Sequence, residues 1–330
     1  MRAKGWRCGG VPGVLLALVL ALAGCNPLAG HPPLRIATDP WPGWGLLRLA
    51  EARGFFADAG VSVRLLELGS PSDVRQSFAS GHADGMGGTL AEVLALLGEA
   101  RRRPRVVLVT DSSLGADVLL GWPPVDTVAG LRGRRVAVER GSLGTYLLAR
   151  ALDAAGMSAK DVRVESLDRT QLEEAVMRDE VDAVATASPQ DVPLRARSGA
   201  RVLFSSADIP GEIVDVLAFD AAAIRTRATE IAGVVRAIHR AQRWAAVHAE
   251  EAQALMARRD GNDAAAVRMA LAALHVPTLA EQRAQLARGG ALERVGARLY
   301  AVMARSGEVA GPPRMLDLVA PEVLELAGLP

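Results

Sequence analysis

Leu34-Arg35-Ile36-Ala37-Thr38, then Trp41-Pro42-Gly43-Trp44, then the stretch 46–57 decide how this chain folds. The five-residue run reads as a strand. Pro42-Gly43 favours a tight turn, and residues 46–57 predict a helix. The same grammar continues outward: strand over 61–68, helix over 72–80, short buried strand over 84–88, helix over 90–100 and strand over 105–110. A second run repeats it. Strands are expected over 134–139, 162–166, 181–186, 201–204 and 215–219, with helices over 145–155 and 171–178. Residues 228–329 read as almost wholly helical, with turns near Gly261-Asn262, Pro277 and Gly311-Pro312-Pro313. Strands alternating with helices predict the α/β class and a parallel, helix-covered sheet. In such proteins ligands bind beyond the carboxyl ends of the strands.

The N-terminus has the three parts of an export signal. Arg2, Lys4 and Arg7 are a positive start, residues 11–23 an apolar run, and Leu22-Ala23-Gly24-Cys25 its end. Thirteen residues span roughly 20 Å as a helix, short of the ~30 Å hydrocarbon core, so a cleaved segment is the stronger reading than a spanning helix. Leu-Ala-Gly-Cys resembles the lipobox of bacterial lipoproteins, which implies acylation of Cys25 after removal of the segment before it. Residues 26–33 contain Pro and Gly without periodicity and suit a tether. The expected location is a membrane surface facing the periplasm or the cell exterior.

The mature chain then has no free thiol, because Cys8 is lost and Cys25 is acylated. Half of the residues are hydrophobic, enough for a large core. Net charge moves from +1 to −2 when the three N-terminal cations go. No nucleic-acid partner is expected, since that surface needs a clustered basic excess. Arg101-Arg102-Arg103 is the one tight basic run and reads as a solvated helix end.

Several motifs recur in a fixed order: Trp41-Pro42-Gly43-Trp44; Gly81-His82-Ala83-Asp84-Gly85 with Thr89-Leu90-Ala91-Glu92; Asp111-Ser112-Ser113-Leu114-Gly115-Ala116-Asp117. Leu131-Arg132-Gly133-Arg134-Arg135-Val136, Gly141-Ser142-Leu143-Gly144, Val181-Asp182-Ala183-Val184 and Ile209-Pro210-Gly211-Glu212 follow. Together, over residues 34–219, they resemble the solute-binding proteins of nitrate/sulfonate/taurine-type ABC importers, of the periplasmic-binding-protein type 2 superfamily. That superfamily also holds binders of thiamine-pyrimidine precursors. The resemblance implies two lobes joined by two crossover hinge strands, with a helical C-terminal tail. Val118 to Trp122 would carry the chain out and Val216 to Phe219 return it, so lobe 1 comprises 34–118 plus 219–330 and lobe 2 comprises 119–218. It also implies a monomer that captures a small polar organic solute (amine-bearing, sulfonate-like or heterocyclic) by hinge closure and presents it to a membrane permease. Where many relatives have an acidic-aromatic-proline segment in the cleft, this chain has Ala185-Thr186-Ala187-Ser188-Pro189-Gln190-Asp191, which leaves the ligand open.

The candidate ligand-binding residues are Trp41, Trp44, Thr89, Asp111, Ser113, Asp117, Ser142, Thr145, Glu212 and Asp215. Trp41 and Trp44 flank the turn after the first strand, where rings can wall a pocket or merely pack between strand and helix. Ser142 with Thr145, and Thr89, open helices after strands; unpaired N–H groups there hold anions, or the hydroxyls simply cap. Asp111, Asp117, Glu139, Glu212 and Asp215 cluster at strand ends, with Arg140 the obvious cation nearby. A buried carboxylate needs a cation, a donor or water. The cluster therefore either meets a cationic or zwitterionic ligand or braces the hinge.

No cofactor or metal is expected, and the chain is not read as an enzyme. His239 and His248 are nine residues apart, on opposite faces of one helix. No His-x-x-x-His or Cys pair and no Gly-x-Ser-x-Gly elbow occurs, and Gly85-Met86-Gly87-Gly88 lacks the Lys-Ser/Thr of a P-loop. The alternatives are a lipid-anchored ligand sensor and a pyrimidine-synthase-like enzyme on the same fold.

Overall fold

The structure, a computed structural model, describes residues 31–99, 102–139, 143–188, 190–197, 199–260, 264–305, 307, 309 and 315–329. The expected export segment, Cys25, most of the tether, Arg140 and Ser142 lie outside the described residues. Residues 34–330 pack as one compact unit.

β1 (Leu34–Thr38) passes through a 3-10 turn, Pro42–Trp44, into α1 (Gly45–Ala52) and α2 (Phe55–Asp58). The helix expected over 46–57 is thus split, because Gly54 takes a left-handed conformation (φ 71°) that a residue with a Cβ rarely adopts. β2 (Val63–Glu67), α3 (Pro71–Ala79), β3 (Gly85–Thr89), α4 (Leu90–Glu99) and β4 (Pro104–Ser113) follow. The next stretch runs β5 (Asp117–Gly121), β6 (Arg135–Glu139), α5 (Gly144–Ala154), β7 (Arg163–Leu167), α6 (Arg169–Met177), β8 (Ala183–Ala187), α7 (Asp191–Arg195) and β9 (Arg201–Ser205). β10 (Val214–Asp220) leads to the tail: α8 (Ala221–Val247), α9 (Ala249–Asp260), α10 (Ala264–Ala272), β11 (Leu274–His275), α11 (Leu279–Leu286), α12 (Ala291–Arg305) and α13 (Pro321–Leu326).

There are two sheets, ordered β11-β4-β10-β3-β1-β2 and β7-β6-β8-β5-β9. Ignoring β11, they share one plan: β2-β1-β3-β10-β4 matches β7-β6-β8-β5-β9. In each, the first three strands are parallel and the fourth is antiparallel to both neighbours. The α/β class and two-lobed build agree with expectation, but the sheets are mixed rather than parallel. The reason is topological. β5 and β10 are the strands that enter from the other sheet, so they start at the end where β8 and β3 finish and must run against them.

The chain leaves the first sheet after Ser113 and joins the second at Asp117; it returns between Ser205 and Val214. The lobe boundaries expected at 118/119 and 218/219 fall inside β5 and β10, each of which lies wholly in one sheet.

The shared plan has a shared device. Arg35 on β1 donates its backbone N–H and its Nε to Asp84 Oδ2, and its Nη2 lies 2.7 Å from Asp84 Oδ1. Arg135 on β6 makes the corresponding backbone and Nε bonds to Asp182 (2.9 and 3.2 Å). Each Asp immediately precedes or opens the central parallel strand, so the pair fixes that strand's register against its neighbour.

α1, α2 and α13 pack on α8, while α12 touches both α4 and α5. Within the basic run Arg103 is exposed as expected and Arg101 lies outside the described residues, but Arg102 departs from the solvated reading: it donates to the carbonyls of Phe78 and Ala83, pairs with Asp220 at 3.3 Å, and lies over the Phe78 ring. These are carbonyls at and beyond the end of α3, where a cation opposes the negative helix pole. β11, which pairs with β4 inside the tail, was not expected there. No described helix is long and apolar enough to cross a membrane.

Candidate functional site

A cavity of ≈ 1000 Å³, open mouth included, lies where the strand ends of both sheets meet. From the first sheet come Asp39 after β1, Trp41 and Trp44 of the 3-10 turn, Pro71, Gly87 to Thr89 at the end of β3, Glu92 of α4, and Asp215 at the start of β10. The second sheet contributes Asp117 at the start of β5, Glu139 at the end of β6, Leu143, Gly144 and Leu147 of the α5 end, Leu172 and Glu173 of α6, Ala185 to Ala187 of β8, and Gln190 and Leu194.

The tryptophans are pinned by their N–H groups. Trp41 Nε1 donates to Asp215 Oδ2 and Trp44 Nε1 to Asp39 Oδ1, both at 2.7 Å. Trp44 is also core, lying flat against β3: a Cβ on Gly87 would stand 3.0 Å from its ring. A Cβ on Gly43 would collide with Trp41 Nε1 and stand 2.6 Å from Asp111 Oδ2. Gly43 of the turn and Gly87 of β3 therefore serve close approach of the tryptophan rings.

Thr89 lines the cavity and caps α4. Its Oγ1 accepts the Glu92 N–H at 3.2 Å, and its own N–H donates to Glu92 Oε2 at 2.7 Å, a reciprocal capping box. Glu92 is 5 % exposed. Its burial, reinforced by the charge of Asp39, pushes its pKa up to about 8. Burial likewise pushes Asp117 up to about 6.

Asp215 and Asp111 face each other as register partners on β10 and β4. Burial and the negative charge of Asp111 hold the Asp215 carboxyl well above its ordinary range. Both oxygens of Asp111 are sealed from solvent, and burial pushes its pKa up to about 7.

Of the other candidates, Asp111 sits behind the lining rather than in it, and Ser113 and Glu212 brace the crossings. Ser113 Oγ lies 2.7 Å from Ser206 Oγ, which also accepts the Gly115 N–H at 2.6 Å, so outgoing and returning crossings are stitched together. Glu212 accepts Tyr146 Oη at 2.5 Å and two Arg150 bonds at 2.7 and 3.1 Å. Burial would raise its pKa, but those bonds hold it below the usual carboxylate range. Thr145 is not among the lining residues, where Leu143 and Gly144 stand instead, and the N-cap of α5 is Leu143, with no side-chain cap. Trp41, Trp44, Thr89, Asp117 and Asp215 are brought together.

Sequence reasoning missed Asp39, Glu92 and Glu173 as wall residues, and Arg48 beneath the wall. Arg48, 2 % exposed, donates to the carbonyls of Trp41 and Asp39 and lies 3.5 Å from Glu67. Thr89-x-x-Glu92 is a readable capping box, and Arg48 interrupts the apolar run Leu46-Leu47-Arg48-Leu49-Ala50, the mark of a buried, partnered cation.

Two mixed sheets joined by two crossings, with a cavity at their strand ends, define the periplasmic-binding-protein fold. The chain belongs to the NMT1/THI5-like family, whose model matches residues 42–252. It is 30 % identical over 152 residues to a putative aliphatic sulfonates-binding protein of Escherichia coli (strain K12), a match covering 45 % of this chain and 42 % of that one. A 4-amino-5-hydroxymethyl-2-methylpyrimidine phosphate synthase of Uromyces fabae is 32 % identical over 116 residues, 34 % of this chain and 33 % of that one. The chain thus aligns with less than half the length of these curated relatives. In structure it is similar to the periplasmic aliphatic sulphonate-binding protein SsuA of Escherichia coli, with a TM-score of 0.72 at 20 % identity, covering 88 % of this chain and 92 % of that one.

Proposed function

We propose that this protein is the extracytoplasmic solute-binding subunit of an ABC importer. It is held at a membrane by acyl chains on Cys25 and captures a small polar organic solute by closing two lobes. The observation that carries this reading is the cavity, walled by strand ends of both sheets, between which the described chain passes twice. Lobe 1 comprises the first sheet and the tail helices, lobe 2 the second sheet. Hinge bending falls on residues 114–116 and 206–213. Ligand contacts from both lobes stabilise the closed form in proportion to how much better it is bound there. The monomer delivers its solute to a permease, and the anchor keeps it within reach.

A synthase-like enzyme is the second reading, favoured by the name of the Uromyces fabae relative. On this cavity it would have to work with carboxylates, since its described lining residues include neither His nor Cys. Native mass spectrometry of protein purified from its own cells tests the first reading. One small molecule per chain is expected, lost in Ala187→Trp, which fills the cavity from β8. A spectrum without bound solute, or turnover of a bound solute into product, would contradict solute capture as the function.

A further inference from the structure

We propose that the captured solute carries a positively charged, hydrogen-bearing nitrogen held against the wall of Asp39, Glu92 and Asp215, and that sulfonate-like anions are excluded. This deepens the solute-capture reading and rests on it. Six carboxylates line the cavity and no Lys or Arg does so among the described residues. The nearest buried cation, Arg48, directs its donors at backbone carbonyls and Glu67, away from the cavity. An anion could use the N-terminal N–H groups of α4, but Glu92 already takes the Thr89 N–H with its own carboxylate. That leaves the first N–H of the helix end already satisfied by the chain itself.

Glu92 supplies an independent pointer. Its side chain is more than nine-tenths buried and lines the cavity, yet only Oε2 is engaged; Oε1 has no hydrogen-bond partner among the described residues. A largely buried carboxyl with one oxygen unengaged is a ready acceptor for a donor or cation in the cavity. Trp41, fixed by its bond to Asp215, adds a ring whose face attracts cations and repels anions. A metal ion is not the natural occupant, since no three described His, Cys, Asp or Glu side chains are grouped so as to hold one. Carboxylates spread around the wall suit an extended organic cation whose N–H groups reach different acceptors.

Alkylammonium groups and protonated nitrogen heterocycles share this chemistry, and the probes separate them. Calorimetry on the full mature chain, stripped of bound solute, would use hexylamine, 4-aminopyridine and benzenesulfonate. At least one of the two nitrogen probes binds at least tenfold more tightly than benzenesulfonate, and which one does so identifies the source. Glu92→Gln, which can still cap α4, weakens that binding tenfold or more, as does Asp215→Asn, with the circular dichroism of both unchanged. Benzenesulfonate binding as tightly as the nitrogen probes would overturn the charge assignment while leaving solute capture standing. Failure of both nitrogen probes would overturn it too, and the mass spectrum of the native protein would then decide capture separately.

Discussion

In the solute-free chain Glu92 holds a proton near neutrality that it would lose in water, and a bound cation would displace that proton. For Glu92, burial and the neighbouring Asp39 raise the folded pKa to about 8 from 4.5. Between those values the folded state binds more protons than the unfolded one, so its stability falls as pH rises through the window. The melting temperature of the solute-free protein is therefore expected to drop from pH 5 to pH 8. The slope approaches about 1.4 kcal/mol per pH unit for each such group. Glu92→Gln should flatten the slope in calorimetric scans across that range; an unchanged slope would mean that Glu92 is ionised throughout. Arg75 is the cation that acts on Glu92, and it lowers the pKa less than Asp39 raises it. A second residue-scale expectation concerns packing. Gly87→Ala places a Cβ at 3.0 Å from the Trp44 ring, which should cost about 1–3 kcal/mol in urea denaturation and alter tryptophan fluorescence.

Among the elements, the paired devices Arg35–Asp84 and Arg135–Asp182 hold corresponding strands in the two sheets. Asp84→Ala should therefore destabilise by about 1–3 kcal/mol, the range for losing charge-assisted bonds that include a backbone donor. Asp182→Ala should act on the second sheet in the same way, the two effects adding because the sites share no partner. Most strand and helix positions were legible from periodicity to within a residue or two: residues 134–139 became Arg135–Glu139 and 145–155 became Gly144–Ala154, although β4 runs three residues beyond the expected 110 and α7 was not expected. Strand direction was not legible, because periodicity reports which residues face the core and says nothing of which sheet a strand joins. β11 escaped for a related reason. Two residues, Leu274-His275, carry no pattern, and only β4 alongside makes them a strand. At the candidate site, Trp41 and Trp44 announced themselves by scarcity and by the turn between them. Ser113 and Glu212 could not be sorted from wall residues, since the partners that occupy them, Ser206 and Arg150, lie 93 and 62 positions away.

Taken as a molecule, the chain places its bonding across the crossings and its open volume between the sheets. Arg305 on α12 reaches Asp153 on α5 at 3.1 Å, a contact from the tail to a helix of the second sheet. The proposed acyl anchor at Cys25 contributes no residue to the cavity wall as described. Cys25→Ala should release the protein into the soluble fraction of cell lysates while leaving solute affinity unchanged; weakened binding would mean that the anchor acts on the cavity. The central claim, capture by closure of two lobes, is tested most directly by small-angle X-ray scattering of the chain before and after saturation with the solute it carries from its own cells. The radius of gyration should contract on saturation, and the contraction should vanish in Ala187→Trp. An unchanged radius in the wild-type protein, with calorimetry showing the site full, would contradict the account.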